Sequence, residues 1–479
     1  MIPKNRLGGA DPTDLPALRG ALAAADPDAG LAPIGMERVE IGAEALYRLP
    51  QTVADLVGDR GAPRVVMVVD ATPMSRGRTD LKSEAGRLLA DVFETRRAVI
   101  GAGRTELHGD ERALAETENA VQGADCAVVV GSGTITDLAK EATRRAGGVP
   151  LVVVQTAASV NAFSDDMAVL LQNGAKRTVP SRWPDALLVD LSTLADAPPE
   201  MNLAGFGDLI SGWTAPADWY LATAIGMDDS YHPAPVAMLR EGGRALLDAA
   251  PRLRDRDPEA LELLARVLTL SGFTMGTAGK TAPLSGTEHL VSHLIDMAAE
   301  QRGLPLALHG AQVGVAAIPV AAAWEVFLGE FDPTESDLLF PDDATMEPLV
   351  KRAFANIDPT GRVGDECWAS YAVKLERWRE NRSGVVAFLA AWPEHRAEIA
   401  GMVLPPERLA GALGDAGAPA RFGALSPPAS EDVARWAFAN CHLMRDRFTL
   451  ADLLFFAGWW DEAFVERLLD RARAAGGGL

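Results

Sequence analysis

Short apolar runs alternate with amphipathic segments over the first ~200 residues, and this alternation restricts the fold more than any other feature of the chain. Runs that are apolar on consecutive positions indicate strands covered on both faces, and they occupy residues 64–70, 98–101, 126–130, 151–155 and 186–191. Helix-like pieces lie between them at 81–93, 111–121 and 135–146, after an edge strand at 36–41 and a helix at 43–56. Such alternation predicts an α/β domain with a parallel sheet.

After residue 196 the strand pattern fades, and the sequence is typical of helices separated by proline and glycine. We predict helices at 208–221, 236–250, 259–272, 289–300 and 312–328. The segment ADAPPE at 195–200 is the predicted boundary between a domain of residues 1–197 and a helical domain of residues 198–479. Residues 350–479 are a helical extension whose role the sequence does not indicate.

Composition excludes several classes of partner. The chain has 479 residues, with 45 Lys and Arg against 66 Asp and Glu, and a net charge of −21. An acidic protein repels phosphate backbones and anionic lipid, so we expect no nucleic acid and no membrane partner. The cysteines carry no CxxC pair, which favours a reducing cytoplasm: Cys126, Cys367 and Cys441.

Neither the first thirty residues nor the uncharged stretch at 304–324 is predicted to be a targeting or membrane segment. The first thirty residues contain no apolar block of the signal-peptide type. Residues 304–324 carry no Asp, Glu, Lys or Arg and have the length of a membrane span, but they include His309, Gln312 and two prolines. We therefore predict a buried core helix there and no membrane insertion.

The segment GSGTITDLAK at 131–140 follows an apolar strand and opens a helix. Its glycines permit a tight turn, and the free N–H groups of a helix start suit a pyrophosphate. The pattern is neither GxGxxG nor GxxxxGK[ST], so an ordinary turn is the alternative. Asp70, at the end of an earlier strand, is a candidate acceptor for ribose hydroxyls or a helix cap. TAASVNAFSDD at 156–166 ends the next strand, either at a ligand site or in a plain loop.

Three further segments carry the side chains of a metal site. GFGDLISGWTAPADW at 205–219 places Asp208 at a predicted helix start, and SGTEHLVSH at 285–293 places His289 and His293 on one helical face. LPLALHGAQVGV at 304–315 places His309 at the head of an apolar helix. One carboxylate and two imidazoles leave positions open at a catalytic divalent metal. Without HExxH a metalloprotease is disfavoured, and because a buried histidine is more often a hydrogen-bonded core residue, spacing alone leaves the ligand set open.

These segments occur in the same order in sn-glycerol-1-phosphate dehydrogenases, and the chain resembles that family from about residue 70 to residue 315. The family belongs to the metal-dependent alcohol dehydrogenase and dehydroquinate synthase-like superfamily. The resemblance implies an N-terminal Rossmann-like parallel-sheet domain followed by an all-α C-terminal domain, with the active site in the cleft between them.

The resemblance also implies the roles of individual residues. NAD or NADP would bind at Asp70, Gly131, Ser132, Gly133, Thr134, Ile135, Thr136, Asp137, Thr156, Ala157, Ala158, Ser159 and Asp165. One divalent metal, zinc first and nickel or iron as alternatives, would be held by Asp208, His289 and His309. Asn161, Asp208 and His293 would contact substrate, with Asp208 and His293 as catalytic residues. The family usually has Asp where Asn161 stands and Ser where Asp165 stands, and both departures fall in the expected substrate pocket.

The implied reaction is the NAD(P)-linked interconversion of dihydroxyacetone phosphate and sn-glycerol 1-phosphate by hydride transfer, a step of phospholipid metabolism. We expect a cytoplasmic homodimer acting on this small phosphorylated three-carbon substrate. Three alternatives stay open: an iron-type alcohol or polyol dehydrogenase on a non-phosphorylated substrate, a dehydroquinate synthase-like lyase, and a nucleotide-binding relative without turnover. Asp70 would repel the 2′-phosphate of NADP, but the cofactor preference is open as well.

Overall fold

The computed structural model describes residues 7–104, 107–172, 175–334 and 337–479. The chain divides into two compact units. The first unit is Met1–Gly205 with Ala234–Lys280, and the second is Phe206–Pro233 with Thr281–Leu479. Each unit is therefore built from two separate stretches of chain.

The first unit contains the strands found among the described residues. They are β1 (Arg38–Gly42), β2 (Arg64–Val69), β3 (Ser75–Arg76), β4 (Thr79–Asp80), β5 (Glu94–Val99), β6 (Cys126–Gly131), β7 (Leu151–Gln155), β8 (Met167–Gln172), β9 (Ala175–Pro180) and β10 (Ala186–Asp190). Six of them form a parallel sheet in the order β1–β10–β7–β6–β2–β5, while β3 with β4 and β8 with β9 are separate antiparallel pairs. The predicted parallel α/β sheet is confirmed.

The helices follow in chain order. Those that precede the second unit are α1 (Leu15–Ala25), α2 (Leu49–Val57), α3 (Leu81–Ala90), α4 (Glu111–Val121), α5 (Gly133–Arg145) and α6 (Leu191–Asp196). Helix α7 (Pro199–Ile210) begins in the first unit and continues into the second after Gly205. Helix α8 (Ala215–Ile225) lies in the second unit, and the chain then returns to the first with α9 (Pro233–Asp248), α10 (Ala250–Arg254) and α11 (Pro258–Ala278).

The remaining helices belong to the second unit. They are α12 (Thr287–Gln301), α13 (His309–Glu330), α14 (Asp343–Phe354), α15 (Arg362–Glu380), α16 (Arg382–Ala390), α17 (Trp392–Ala400), α18 (Pro406–Ala416), α19 (Glu431–Asn440), α20 (Leu450–Phe456) and α21 (Glu462–Ala474). No strand longer than an isolated bridge occurs among the described residues of this unit, as the sequence pattern predicted.

The predicted domain boundary at 197/198 differs from the observed division. The first unit continues to Gly205, and residues 234–280, which we expected in the helical domain, also belong to it because α11 packs on β1 and α6. ADAPPE is not a linker either, since Pro199 starts α7. Proline suits the first turn of a helix, whose N–H groups have no intrahelical acceptor, so the prolines of this segment mark the start of a helix.

Burial explains which strands the apolar-run criterion found. Strands β6, β7 and β10 are buried at every position because they lie inside the sheet. Strand β5, predicted at 98–101, begins four residues earlier at Glu94 and ends at Val99. It is the edge strand, and Glu94, Arg96 and Arg97 are exposed, so its polar residues concealed most of the strand.

Helix α13 is the centre of the second unit and packs against α12, α18 and α21. By length and composition it is the single described helix that could cross a membrane, but 83% of its apolar window is buried inside the structure, as predicted for a core helix. Residues 350–479 share one apolar core with α12 and α13, to which Tyr371, Trp378 and Leu453 contribute. The predicted extension is therefore an integral part of this unit.

Candidate active site

The carboxyl ends of three adjacent strands bring the proposed nucleotide segments together. Strand β6 lies between β2 and β7, with Val69 opposite Val130 and Gly131 opposite Gln155. Asp70, Ser132 and Thr156 directly follow these strands, so they occupy one edge of the sheet. Ligands of open α/β sheets bind at this edge.

Helix α5 offers an anion site at its start. Ser132 is its N-cap residue and makes no side-chain capping bond, which leaves first-turn N–H groups for a ligand. A Cβ on Gly131 would lie 2.2 Å from Ile135 Cγ2, and one on Gly133 would lie 2.9 Å from Val160 Cγ2. Gly131 is therefore required by close packing against Ile135 of α5, and Gly133 by close packing against the segment at 156–160.

The other predicted nucleotide residues differ in accessibility. Thr134 is exposed, whereas Thr136 is buried and donates to the Ser132 carbonyl at 3.0 Å. Thr156, Ala157, Ala158 and Ser159 are all buried. The Ala158 N–H donates to Asn202 Oδ1 at 2.9 Å, which fixes this loop to α7. The buried members shape the turns, and Thr134 with the backbone N–H groups is available to a ligand.

Asp137 and Asp165, for which the resemblance implied cofactor contacts, are both paired with a buried lysine. Lys140 Nζ lies 3.0 Å from Asp137 Oδ1 and 2.6 Å from Asp165 Oδ1, and the Lys140 side chain is fully buried. Burial raises the pKa of Asp137 to about 6 against the opposing charge of Lys140. Both carboxylates hold the loop after β7 to α5 around an internal cation. Lys140, the last residue of GSGTITDLAK, was the signal that sequence reasoning missed.

Asp70 lies at the predicted sheet edge but is not a free carboxylate. Lys82 Nζ contacts Asp70 Oδ1 and donates to the Thr72 carbonyl at 2.6 Å. The Thr72 hydroxyl donates to Asp70 Oδ2 at 2.8 Å. The paired lysine weakens the repulsion that Asp70 would exert on a 2′-phosphate. Asn161, the predicted substrate residue, lies in the same unit, half-buried, with its Nδ2 3.9 Å from the sulfur of Met275.

The proposed metal ligands converge in the second unit. Asp208 comes from α7, His289 from α12, and His309 is the first residue of α13. One ligand atom from each lies within 4.8 Å of the other two, and His289 Nε2 is 3.5 Å from Asp208 Oδ1. The helix predicted at 208–221 is interrupted by a 3₁₀ turn at Ser211–Trp213, so Asp208 lies at the end of α7. A helix C-terminus carries partial negative charge, which favours a cation there.

An unpartnered oxygen of Asp208 makes the proposed ligand set suitable for a cation. Asp208 Oδ1 is buried and accepts no hydrogen bond from any described residue. A buried carboxylate oxygen without a partner is costly, and a metal ion supplies the missing one. Burial lowers the pKa of His289, but the neighbouring carboxylates of Asp208 and Glu288 raise it above its ordinary value. The site therefore concentrates negative charge around two imidazoles.

Glycine contacts explain how Asp208 reaches His309. A Cβ on Gly207 would lie 2.4 Å from the Gly310 carbonyl oxygen, and one on Gly314 would lie 2.9 Å from Gly207 Cα. The end of α7 and the start of α13 can therefore approach only because these positions have no side chain.

Hydrogen bonds orient both imidazoles. His289 Nδ1 is 3.0 Å from Glu288 Oε1, so this nitrogen donates to the carboxylate and Nε2 is left as the metal-binding atom. Glu288 also accepts from the Thr214 hydroxyl and from the Gly286 N–H, at 2.9 and 2.7 Å. A fixed carboxylate thus fixes the His289 ring.

A second chain of hydrogen bonds determines the orientation and the tautomer of the His309 ring. Asp296 can only accept, so the Gln312 amide nitrogen faces it at 2.9 Å and the amide oxygen accepts from Ser292 at 2.7 Å. The Ser292 oxygen must then accept from His309 Nδ1, 3.1 Å away. His309 Nε2 is left unprotonated, as a metal ligand requires. No motif in the linear chain indicates these hydrogen bonds.

His293 lies beside this site. Its ring is stacked 5.5 Å from that of His309, and it is half-exposed, whereas His289 is buried. His293, Asp296 and His309 also have ligand atoms within 4.8 Å of one another. Asp296 already accepts from Gln312, so the orphaned oxygen of Asp208 favours the predicted set.

Sequence reasoning also missed Arg447, in the segment that the resemblance did not cover. This half-buried guanidinium donates to the Ser285 carbonyl and to the hydroxyls of Ser285 and Thr281, the hydroxyl distances being 2.6 and 2.5 Å. These acceptors precede α12, which carries His289. The C-terminal part of the chain therefore holds the loop that leads into the metal site.

Comparisons with known proteins identify the relatives of this chain. Residues 40–198 match the family model described as iron-containing alcohol dehydrogenase. The NAD(P)+-linked glycerol-1-phosphate dehydrogenase of Bacillus subtilis is 29% identical over 314 residues, covering 64% of this chain and 77% of that protein. The enzyme of the same name from Halalkalibacterium halodurans is 30% identical over 315 residues, covering 63% and 75%.

Among solved structures, a probable glycerol dehydrogenase from Sinorhizobium meliloti 1021 shares the fold, with a TM-score of 0.57 at 16% identity. The alignment covers 92% of this chain and 98% of that one, so most of residues 350–479 has a counterpart there. The similarity thus extends over both units, and the metal-dependent alcohol dehydrogenase fold expected from the resemblance is confirmed. By its curated relatives the chain belongs to the glycerol-1-phosphate dehydrogenase family of oxidoreductases.

Proposed function

We propose that this oxidoreductase interconverts dihydroxyacetone phosphate and sn-glycerol 1-phosphate in the cytoplasm, with NAD(P) and a divalent metal at Asp208, His289 and His309. The observation that carries the metal site is the buried Asp208 Oδ1, which has no hydrogen-bond donor among the described residues and lies 3.5 Å from His289 Nε2. The substrate is supported by the names of the B. subtilis and H. halodurans relatives.

A divalent metal bound here supplies a Lewis acid for the substrate oxygen, and a nicotinamide delivers or accepts the hydride. Zinc is the first choice, with nickel or iron as alternatives, because one carboxylate and two imidazoles suit all three. Glu288 and Ser292 hold the two imidazoles with Nδ1 as the protonated nitrogen, and Asp208 supplies the negative charge. Three ligands leave positions open for substrate.

His293 is the proposed proton-exchanging and substrate-orienting residue. It is half-exposed and next to His309, so its imidazole is within reach of water and of a substrate bound at the metal. On the nucleotide, the start of α5 would bind the pyrophosphate and Asp70 a ribose hydroxyl.

The experiment compares substrates on metal-free protein reloaded with zinc, nickel or iron. We expect NAD(P)H oxidation with dihydroxyacetone phosphate to exceed that with dihydroxyacetone by about 100-fold or more in kcat/KM, since the phosphate contributes binding energy. An sn-glycerol-3-phosphate-specific dehydrogenase should leave the product untouched, which identifies the 1-phosphate.

Each alternative has its own result. Faster turnover of glycerol or dihydroxyacetone than of the phosphate ester would replace our proposal with a polyol dehydrogenase. NAD(P) binding without turnover on any substrate, with every metal, would favour a non-catalytic relative. Product formation without net oxidation or reduction of the nucleotide would favour a lyase of the dehydroquinate synthase type.

A further inference from the structure

The second unit contains a cavity of about 290 Å³ beside α12 that the proposed reaction does not use. It is formed by the second half of α12, the loop that follows, and residues 425–433. Most of its wall is apolar, including Ile295, Ala298, Leu425 and Val433.

The size of the cavity limits its ligand. A volume of 290 Å³ lies at the lower end of ligand pockets, which span about 300–1,000 Å³. At about 30 Å³ for each water-sized group, it holds roughly ten heavy atoms. Leu304 is 54% exposed at its rim, so an apolar chain could enter there.

The charge of the lining indicates the sign of the ligand. Although the chain has a net charge of −21, no acidic residue belongs to the described lining. Arg302 is the single cation of that lining, is exposed, and forms no salt bridge with another described residue. An apolar wall with one available guanidinium complements an anion that carries a short hydrocarbon chain.

Gln312 connects the cavity to the metal site. Gln312 is one of the residues that line the cavity, and its side-chain amide donates to Asp296 and accepts from Ser292, which accepts from His309 Nδ1. A ligand that moves or restrains this amide therefore alters the orientation of His309. Two sites that share one hydrogen-bonded element have coupled affinities.

We propose that this cavity binds a short amphipathic anion, with its chain against Ile295 and Ala298 and its head group on Arg302, and that its occupancy changes the metal affinity through Gln312. The binding is independent of the proposed reaction. The coupling rests on the proposed role of His309 as a metal ligand.

The first test measures binding by calorimetry on the full-length, metal-loaded protein, with octanoate and octyl phosphate as carboxylate and phosphate probes. Octylammonium, octanol and acetate are the matched controls for charge and chain. We expect at least one anionic amphiphile to bind about tenfold or more tightly than every control, because both the chain and the charge have a partner. Equal binding of octylammonium, or no binding of either anion, would overturn the proposal.

Variants locate the site. Arg302→Gln should lower the affinity for the anion about tenfold. Arg352 is an exposed arginine of α14 outside the cavity, and Arg352→Gln should keep the affinity within about twofold of that of the unmodified protein. Ala429→Leu narrows the cavity from its loop side and should abolish binding without lowering the thermal midpoint. Unchanged binding in a folded Ala429→Leu variant places the ligand elsewhere and refutes the assignment.

The second test measures the coupling. The anion is titrated into metal-loaded and metal-free protein, and zinc affinity is measured by chelator competition with and without saturating anion. The first ratio compares anion affinity in metal-loaded and metal-free protein, and the second compares zinc affinity with and without saturating anion. We expect the two ratios to agree and to exceed about threefold, since linkage is reciprocal. Gln312→Met should retain anion binding and bring both ratios to about one. Ratios of one in the unmodified protein overturn the coupling, whereas failure of the proposed reaction would appear only in the substrate assay.

Discussion

Asp208 carries the only negative charge of the proposed ligand set, and its Oδ1 has no other described partner. Asp208→Asn keeps the shape and removes the charge, so we expect metal content to fall from about one per chain to below about a tenth and turnover to fall by about 100-fold or more. Metal analysis and kcat measurements test this. Asp415→Asn, an exposed aspartate of α18, is the control. Full metal content in Asp208→Asn would refute the ligand assignment.

Ser292 has no proposed contact with metal or substrate, yet its hydroxyl oxygen accepts a hydrogen bond from His309 Nδ1. Ser292→Ala frees the His309 ring to rotate and to change tautomer, and loss of such an orienting partner costs about 10- to 100-fold in metal affinity. Chelator competition measures the loss. Ser370→Ala in α15 should leave the affinity unchanged. Equal affinities in the two variants would show that the hydrogen-bond chain does not orient His309.

Asp70 and Lys82 together set the charge beside the expected ribose site. Asp70→Asn removes the carboxylate and leaves Lys82 with two carbonyl acceptors, those of residue 70 and Thr72. We expect the ratio of NADP to NAD affinity to rise about tenfold, because the unpaired ammonium attracts a 2′-phosphate. Fluorescence titration of both cofactors measures the ratio. A proportional loss of both affinities would separate Asp70 from cofactor choice.

At the scale of elements, the contact between α7 and α13 decides whether the ligands meet. Gly207→Ala would put a Cβ 2.4 Å from a backbone oxygen that cannot rotate away, so the helices must separate. We expect a loss of about 1–3 kcal/mol in the free energy of unfolding, together with weaker metal binding.

Gly411→Ala is the matched control for this substitution. Gly411 lies in α18 with nothing within 4 Å of an added Cβ, so alanine there should stabilise by about 0.5–1 kcal/mol. Denaturant titration and metal content are measured for both variants. If Gly207→Ala were as stable and as well loaded as Gly411→Ala, the close approach would not be what assembles the site.

At the scale of the whole molecule, the metal should stabilise the unit that binds it. All three proposed ligands lie in the second unit, which shares one apolar core from α12 to α21. Zinc at 100 times its Kd contributes about 2.7 kcal/mol to a protein whose unfolded state does not bind it. We expect the thermal midpoint of the metal-free protein to rise by several degrees on adding zinc and to be restored by a chelator. An equal rise in His309→Ala would contradict the assignment.

Local sequence pattern was enough to predict strands of the parallel sheet, the glycine-rich turn and the candidate metal ligands. Strands inside a parallel sheet are buried on both faces and therefore appear as apolar runs, as in Cys126–Gly131 and Leu151–Gln155. A phosphate-binding turn needs glycines, and a metal needs carboxylate and imidazole, so these residue types remain visible in the linear chain. Edge strand β5 escaped this criterion because its polar residues face solvent.

Contacts between residues far apart in the chain set which charges are available and what holds the ligands in place. Lys140 and Lys82 engage carboxylates that were expected to face the cofactor, and neither pairing follows from sequence spacing: Lys82 lies 12 positions after Asp70, and Lys140 lies 25 before Asp165. The same holds for Arg447, which donates to Ser285 162 positions away. A charge is compensated by whichever partner the fold brings within a few ångströms, and such distances are set by packing, whereas helices and strands depend on local pattern.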